Sequence, residues 1–243
     1  MKGKRLGIIG GMGPKATSVF FDKLIENTVA NSDQEHIDIV IMNHATLPDR
    51  TTVILEERGE DFLREIKRDF EMLEKAEVSN IAIPCNTSHF FYEEMQGMTT
   101  IPIIHMVQET VKEIYEKFGE GSKIGLLATN GTVNSGIYEK ECQKYNLNLY
   151  TPNKPLQDEV MNIIYNIKAD IGSDQDRFEG IVHQLIKEEN CRCVILACTE
   201  LSIIPLRKET SCHTVDAMAV LIEKAIERSG KEVKRKELSN IFV

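Results

Sequence analysis

Residues 81–89 read Ile-Ala-Ile-Pro-Cys-Asn-Thr-Ser-His, and residues 194–202 read Val-Ile-Leu-Ala-Cys-Thr-Glu-Leu-Ser. Each is a short apolar run, a cysteine, and then polar residues. Runs of this length, rich in isoleucine and valine and without alternation, fit strands covered on both faces, as in parallel sheets flanked by helices. The cysteine then stands at the carboxyl end of its strand, the edge of an α/β sheet at which small ligands bind.

The sequence outside these runs repeats as well. Lys4-Arg-Leu-Gly-Ile-Ile-Gly-Gly-Met-Gly-Pro14 matches Ser122-Lys-Ile-Gly-Leu-Leu-Ala-Thr-Asn-Gly-Thr132, each a strand entering a loop of small residues and then a helix. Seventy-eight residues separate Gly7 from Cys85, and seventy-three separate Gly125 from Cys198. Ile101-Pro-Ile-Ile-His105 begins sixteen residues after Cys85, Ser211-Cys-His-Thr-Val215 thirteen after Cys198, and each leads into a helical pattern. Three correspondences in one order identify a duplicated unit.

Between these landmarks strand and helix alternate. Residues 37–42 and 146–150 are strand-like, while 18–29, 60–77, 137–145, 160–167, 178–189 and 217–229 repeat apolar residues at three and four. The fold class expected is α/β: two pseudo-symmetric lobes, each a mostly parallel sheet flanked by helices, with the active site in the interlobe crevice. Residues 1–105 plus 208–243 form the first lobe, and 106–207 the second. No linker rich in Pro, Gly or Ser divides the chain, so the lobes pack closely.

Composition narrows the function. The chain has 243 residues, 42% of them hydrophobic, with 29 Lys and Arg against 38 Asp and Glu, a net charge of −9. Such an acidic protein without a basic patch repels nucleic acid and anionic membranes. No stretch of about 18 apolar residues or signal core is present, so a cytoplasmic location is expected. Residues 231–237, Lys-Glu-Val-Lys-Arg-Lys-Glu, mix both charges and read as a solvated tail. The six cysteines lack a secreted-scaffold rhythm, and Cys191, Cys193, Cys198 and Cys212-His213 lack paired C-x-x-C knuckles, so reduced thiols without metal are expected.

Most of these thiols have an ordinary explanation. Cysteine is common inside proteins as a small apolar residue, and Cys142, Cys191, Cys193 and Cys212 are assigned that role. Cys85 and Cys198 differ, because they hold equivalent places in a repeat and precede polar residues. Two thiols facing one crevice from two lobes suit a reaction that inverts carbon. One group removes a proton from one face, the other returns a proton to the opposite face, and they exchange roles when the reaction reverses. Cysteine, with a pKa near 8.5 that helix N-termini lower, meets that requirement. Asn86, Thr87, Thr199 and their backbone N–H groups are placed to support a thiolate or a substrate carboxylate.

At these residues the sequence resembles the aspartate/glutamate racemase superfamily, the enzymes that work without pyridoxal phosphate, and most closely its aspartate racemase branch. Gly-Ile-Ile-Gly-Gly-Met-Gly-Pro (7–14), Leu-Pro-Asp-Arg (47–50), Pro-Cys-Asn-Thr-Ser-His (84–89) and Ala-Cys-Thr-Glu-Leu (197–201) occur in family order, and the resemblance covers essentially the whole chain. It implies a dimeric two-lobe enzyme that interconverts L- and D-amino acids, here aspartate, with no cofactor. Cys85 and Cys198 become the acid/base pair. Met12 lines the pocket from the first loop, and Asn86, Thr87 and Ser88 resemble carboxylate and amino-group contacts. Thr129, Thr132, Thr199 and Glu200 complete the opposite wall. Arg50 is chosen for the side-chain carboxylate, which guanidinium grips with two parallel hydrogen bonds; its ordinary reading is a surface arginine paired with Asp49. Some relatives replace one cysteine by threonine, whereas both are present here. The glutamate branch carries an acidic residue near the first strand and a histidine after its second cysteine; Met12 and Thr199-Glu200 stand there instead, which disfavours glutamate.

Other readings predict different chemistry. Gly11-Met-Gly-Pro-Lys-Ala16 formally fits a dinucleotide fingerprint, but Pro14 suits a helix first turn and the glycines serve a tight strand-to-helix turn. A glutamate or broad-specificity racemase and a non-catalytic sensor of small carboxylates would use the same crevice. His89 is placed to tune Cys85 or to make an ordinary polar contact, and His44 at a strand end to reach the crevice.

Overall fold

A computed structural model describes residues 4–234. The part of the charged tail beyond Lys234 lies outside the described residues. Three strands and a bridge in the first half, matched by four strands in the second, establish the repeat. Strands β1 (Leu6–Gly10), β2 (Ile39–Asn43) and β3 (Asn80–Ala82) form one sheet in the order β2-β1-β3. Strands β4 (Lys123–Ala128), β5 (Asn148–Tyr150), β6 (Cys193–Ala197) and β7 (Thr214–Asp216) form another in the order β5-β4-β6-β7. Every pairing is parallel, with Leu6 opposite Ile39 and Asn80, and Ile124 opposite Leu149 and Cys193. An isolated parallel bridge from Ile81 to Ile103 gives the first sheet a rudimentary equivalent of β7.

Position in the sheet explains the sequence pattern. Strands β1, β3 and β6 are buried throughout, and β4 is buried beyond its first residue, so their runs are apolar without alternation. Strands β2 and β5 lie at sheet edges and stay partly open. The helices expected from apolar spacing form at Pro14–Asn27, Gly59–Lys75, Ile137–Lys144, Lys154–Lys168, Gln175–Lys187 and Ala217–Arg228. Pro14 occupies the first turn of its helix, where its missing N–H costs nothing.

The last helix of each half crosses to the other half. Val107, Val111 and Ile114 of helix Met106–Phe118 pack with Ile124, Leu126, Cys193 and Ile195 of the second sheet. Leu221, Ile222, Ala225 and Ile226 of helix Ala217–Arg228 pack with Leu6, Ile8 and Phe20 of the first. Strand β7, by contrast, pairs with β6; we propose that the return to the first lobe lies nearer Asp216 than Lys208.

Cys142 and Cys193 are buried in the cluster around Val107 and Ile124, and Cys191 in a separate one with Leu185 and Val194. Cys212 is not: it is exposed, because it follows the short surface helix Lys208–Ser211 at its carboxyl end.

Candidate active site

A narrow cavity lies beyond the carboxyl ends of the central strands, lined by Met12, Asp49, Arg50, Thr51, Cys85, Asn86, Thr87, Thr129, Lys168, Cys198, Thr199 and Glu200. Two larger depressions, around Asn166–Asp176 with Arg207 and around Arg177–Glu188, are more open and contain no cysteine.

Each cysteine reaches the cavity by the same local route. Cys198 follows β6 directly, and Cys85 follows β3 after Ile83 and Pro84. Beyond each the chain turns into a single 3-10 segment, Thr87–Phe91 in the first half and Leu201–Ile203 in the second. Both thiols are buried, each 6% exposed, so reagents and substrate reach them only through the cavity.

The two cysteine turns are wired differently. The Ser88 hydroxyl donates to the Cys85 carbonyl at 2.8 Å. His89 Nδ1 lies 2.9 Å from the same carbonyl, and Nε2 accepts the Met106 amide at 3.2 Å, an arrangement that fits the Nδ1–H tautomer. Burial holds this imidazole below its ordinary pKa and therefore neutral. His89 thus ties the Cys85 backbone to the next helix and makes no hydrogen bond to the thiol. In the other turn the Cys198 thiol donates to Glu200 Oε2 at 2.9 Å. Burial, followed by the adjacent Glu200 charge, pushes the Cys198 thiol well above its ordinary pKa, and Lys168 offsets this only in part. The expected lowering by a helix N-terminus is overridden here, since one 3-10 turn supplies little dipole against desolvation and a carboxylate.

Hydroxyl groups join the lobes over the cavity. Thr87 Oγ1 lies 2.9 Å from both Thr129 Oγ1 and Thr132 Oγ1, and Thr129 caps helix Asn130–Ser135 through the Thr132 amide. The contact needs Gly131: a Cβ there would stand 2.8 Å from Thr51 Cα. Gly11 does similar service in the first loop, with φ +89° and its would-be Cβ 2.4 Å from the His44 carbonyl carbon. The Gly11 amide donates to Thr17 Oγ1 at 2.9 Å, so this loop commits a donor internally that a phosphate site would present.

Cations and unpaired donors mark the remaining wall. Arg50 is only 7% exposed and donates through Nη1 to the carbonyls of Leu47 and Pro48. Its Nε and the Asn86 Nδ2 are buried and have no hydrogen-bond partner among the described residues. Arg50 makes no ion pair with Asp49, whose carboxylate instead caps its own helix by accepting from Thr52 N at 2.9 Å. The surface-pair reading of Arg50 therefore fails, because the residue is turned inward at the first turn of helix Arg50–Leu55. Lys168 closes the cavity from the last turn of helix Lys154–Lys168. Burial opposes its charge, but Glu200, Cys198, Cys85 and Asp49 together raise its pKa.

Of the residues expected from sequence, Cys85, Cys198, Met12, Arg50, Asn86, Thr87, Thr129, Thr199 and Glu200 meet at this cavity. Ser88 and Thr132 stand behind it, bonded to the Cys85 carbonyl and to Thr87. His44 does not reach it: its Nδ1 lies 2.8 Å from Asp69 Oδ2. Sequence reasoning missed Lys168 and Thr51 and gave Asp49 only as a partner for Arg50. Lys168 ends an amphipathic helix, where lysine ordinarily serves the helix C-terminus, and no local signal separates the two roles.

A pair of parallel α/β units with a cysteine beyond an equivalent strand of each, both opening on one cavity, defines a class of two-lobe enzymes. The Asp/Glu/Hydantoin racemase family model matches residues 9–225, and the chain belongs to that family. It is 30% identical over 229 residues to the broad specificity amino-acid racemase RacX of Bacillus subtilis (strain 168), covering 91% of this chain and 96% of that protein. Among solved structures, it is similar to Picrophilus torridus aspartate racemase, with TM-score 0.82, 30% identity and 99% of each chain covered. The glutamate racemase isoform RacE1 of Bacillus anthracis shares the fold at TM-score 0.60 and 18% identity, over all of this chain and 85% of that one.

Proposed function

We propose that the protein racemises an acidic amino acid, aspartate first, by two-base proton transfer between Cys85 and Cys198 without a cofactor. The observation that carries this reading is that two thiols, one from each repeat, line the same small cavity as Arg50 and Lys168. One thiolate removes the α-proton while the opposite thiol protonates the other face. The bonding electrons of the Cα–H bond remain on carbon until the second proton arrives. Arg50 Nε and Asn86 Nδ2, buried donors without partners among the described residues, suit the substrate carboxylates and the negative charge that grows on the α-carboxylate as the proton leaves. Water exclusion from so small a cavity strengthens those contacts.

Similarity to the Bacillus subtilis enzyme favours a second reading, in which several amino acids are accepted. Arg50 argues for an acidic side chain, because its buried Nε has no hydrogen-bond partner among the described residues and a second substrate carboxylate would supply one. Homodimerisation and a cytoplasmic location form part of the proposal; no helix among the described residues is long and apolar enough to cross a membrane. Chiral chromatography after incubation with each of the twenty common L-amino acids tests the substrate. Production of D-aspartate fastest of all supports the proposal. Turnover of neutral amino acids alone would replace it with the broad reading, and binding of aspartate without turnover would make the protein a sensor.

A further inference from the structure

The two thiols are not equivalent. Cys198 donates to the buried carboxylate of Glu200 at 2.9 Å, whereas the Cys85 sulfur makes no hydrogen bond among the described residues. Glu200 is 3% exposed, and its Oε2 also receives a longer bond, 3.4 Å, from the Thr199 hydroxyl. This buried carboxyl, held by two local donors, is hydrogen-bonded to one sulfur and not, among the described residues, to the other.

We infer that Glu200 is a positioning residue that keeps Cys198 in its thiol form, so that the resting enzyme is poised with Cys198 as acid and Cys85 as base. The inference rests on the two-thiol reading above and goes beyond it by assigning the resting roles. In the poised direction the Cys85 thiolate takes the α-proton and becomes a thiol. Cys198 gives its proton to the opposite face of the carbanion and becomes a thiolate. One negative charge has crossed the cavity to lie beside Glu200, and solvent protonation of Cys198 with deprotonation of Cys85 restores the first state. Repulsion between the Cys198 thiolate and Glu200 drives that return, so the two free forms of the enzyme are unequally populated. Because the two enantiomers are isoenergetic, kcat/KM must be equal in both directions, and the inequality appears in kcat and KM separately. The other charged or titratable groups facing this pair are Lys168 from the helix end, Asp49 and Arg50 from the helix start, Cys85 and Tyr138. None of them contacts the Cys198 sulfur as Glu200 does.

Iodoacetamide alkylation of the full-length protein, followed by peptide mass spectrometry across pH 6 to 10, tests the inference. In Glu200→Gln the pH profile of Cys198 alkylation moves to lower pH, with a rate at pH 8 at least about tenfold above wild type, while the Cys85 profile stays in place; Glu200→Asp, which keeps the charge, retains the wild-type Cys198 profile. Profile midpoints are compared, so a change in access alone does not mimic the result, and circular dichroism verifies folding of both variants. A Cys198 midpoint unmoved or raised in Glu200→Gln overturns the inference, as does an equal downward shift in Glu200→Asp. Alkylation needs no turnover, so a wild-type protein that racemises nothing would sink the proposed function while this readout still judges the role of Glu200.

Discussion

Replacing Asp216 by asparagine is expected to stabilise the protein at neutral pH and to leave it unchanged near pH 4. Asp216 ends β7 and caps helix Ala217–Arg228 by accepting from Met218 N at 2.8 Å. The same Oδ1 receives the Ser202 hydroxyl at 2.6 Å, while Oδ2 is buried without a partner. Burial lifts the carboxyl from its ordinary 3.8 to about 6, and the hydrogen bonds from Ser202 and Met218 oppose the rise only in part. Between these values the folded state binds a proton that the unfolded chain has lost, so this group's contribution to stability falls as pH rises from about 4 to about 6 and is level above. At about 1.4 kcal/mol per decade the loss amounts to at most about 3 kcal/mol. Asparagine keeps an acceptor for Ser202 and Met218, cannot ionise, and so avoids the loss. Urea unfolding of wild type and Asp216→Asn at several pH values from 4 to 7.5 measures the difference directly, with other carboxylates cancelling between the two proteins. A stability difference that stays constant over that range, or one that favours wild type more as pH rises, would refute the reasoning.

Further expectations follow from single contacts. Cys85→Ser and Cys198→Ser each lose about 10²- to 10⁴-fold in racemisation, the usual worth of a positioned acid or base, with chiral chromatography as the measure; two-way activity retained by both would exclude paired thiols. Lys168→Met raises KM for aspartate by roughly 30-fold or more, corresponding to about 2 kcal/mol for removing one partner of a desolvated charge contact, and affects neutral amino acids less in steady-state kinetics. Tyr138→Phe removes the 2.5 Å donation to Asn86 Oδ1 and costs about 1–3 kcal/mol in chemical denaturation, because a buried acceptor is left unpaired. Gly131→Ala forces a carbon against Thr51 at the lobe contact and lowers the melting temperature through about 1–3 kcal/mol of overpacking; an unchanged melting temperature would show that helix Asn130–Ser135 yields freely.

The fold was legible where burial dictates composition. Residues such as Ile8, Ile81, Leu126 and Ile195 are covered on every side, so their strands could only be apolar, and the repeat carried those runs to matching places. Both cysteines were legible because the end of a buried strand can be found from sequence. What escaped depends on distance in three dimensions. Lys168 comes to the cavity only because its helix ends there, and its neighbours Glu200, Cys85 and Asp49 are remote in the chain. The inward turn of Arg50 follows from the Asp49 cap and the Leu47 and Pro48 carbonyls, a geometry that the four letters Leu-Pro-Asp-Arg do not specify. The hydrogen bond from Cys198 to Glu200 was equally hidden, since side chains two residues apart meet only when the backbone turns at once.

The crossing of helices Met106–Phe118 and Ala217–Arg228 between the sheets has a consequence for how the molecule moves and comes apart. Neither half can be cut out intact, since each would leave behind the helix that seals its own sheet and carry away one that seals its twin. Hinge motion that opens the cleft must turn about this exchanged pair, and melting of either sheet strips a wall from both. The duplication has thus become indivisible, two copies that hold their shape only by each lending the other its final turn of chain.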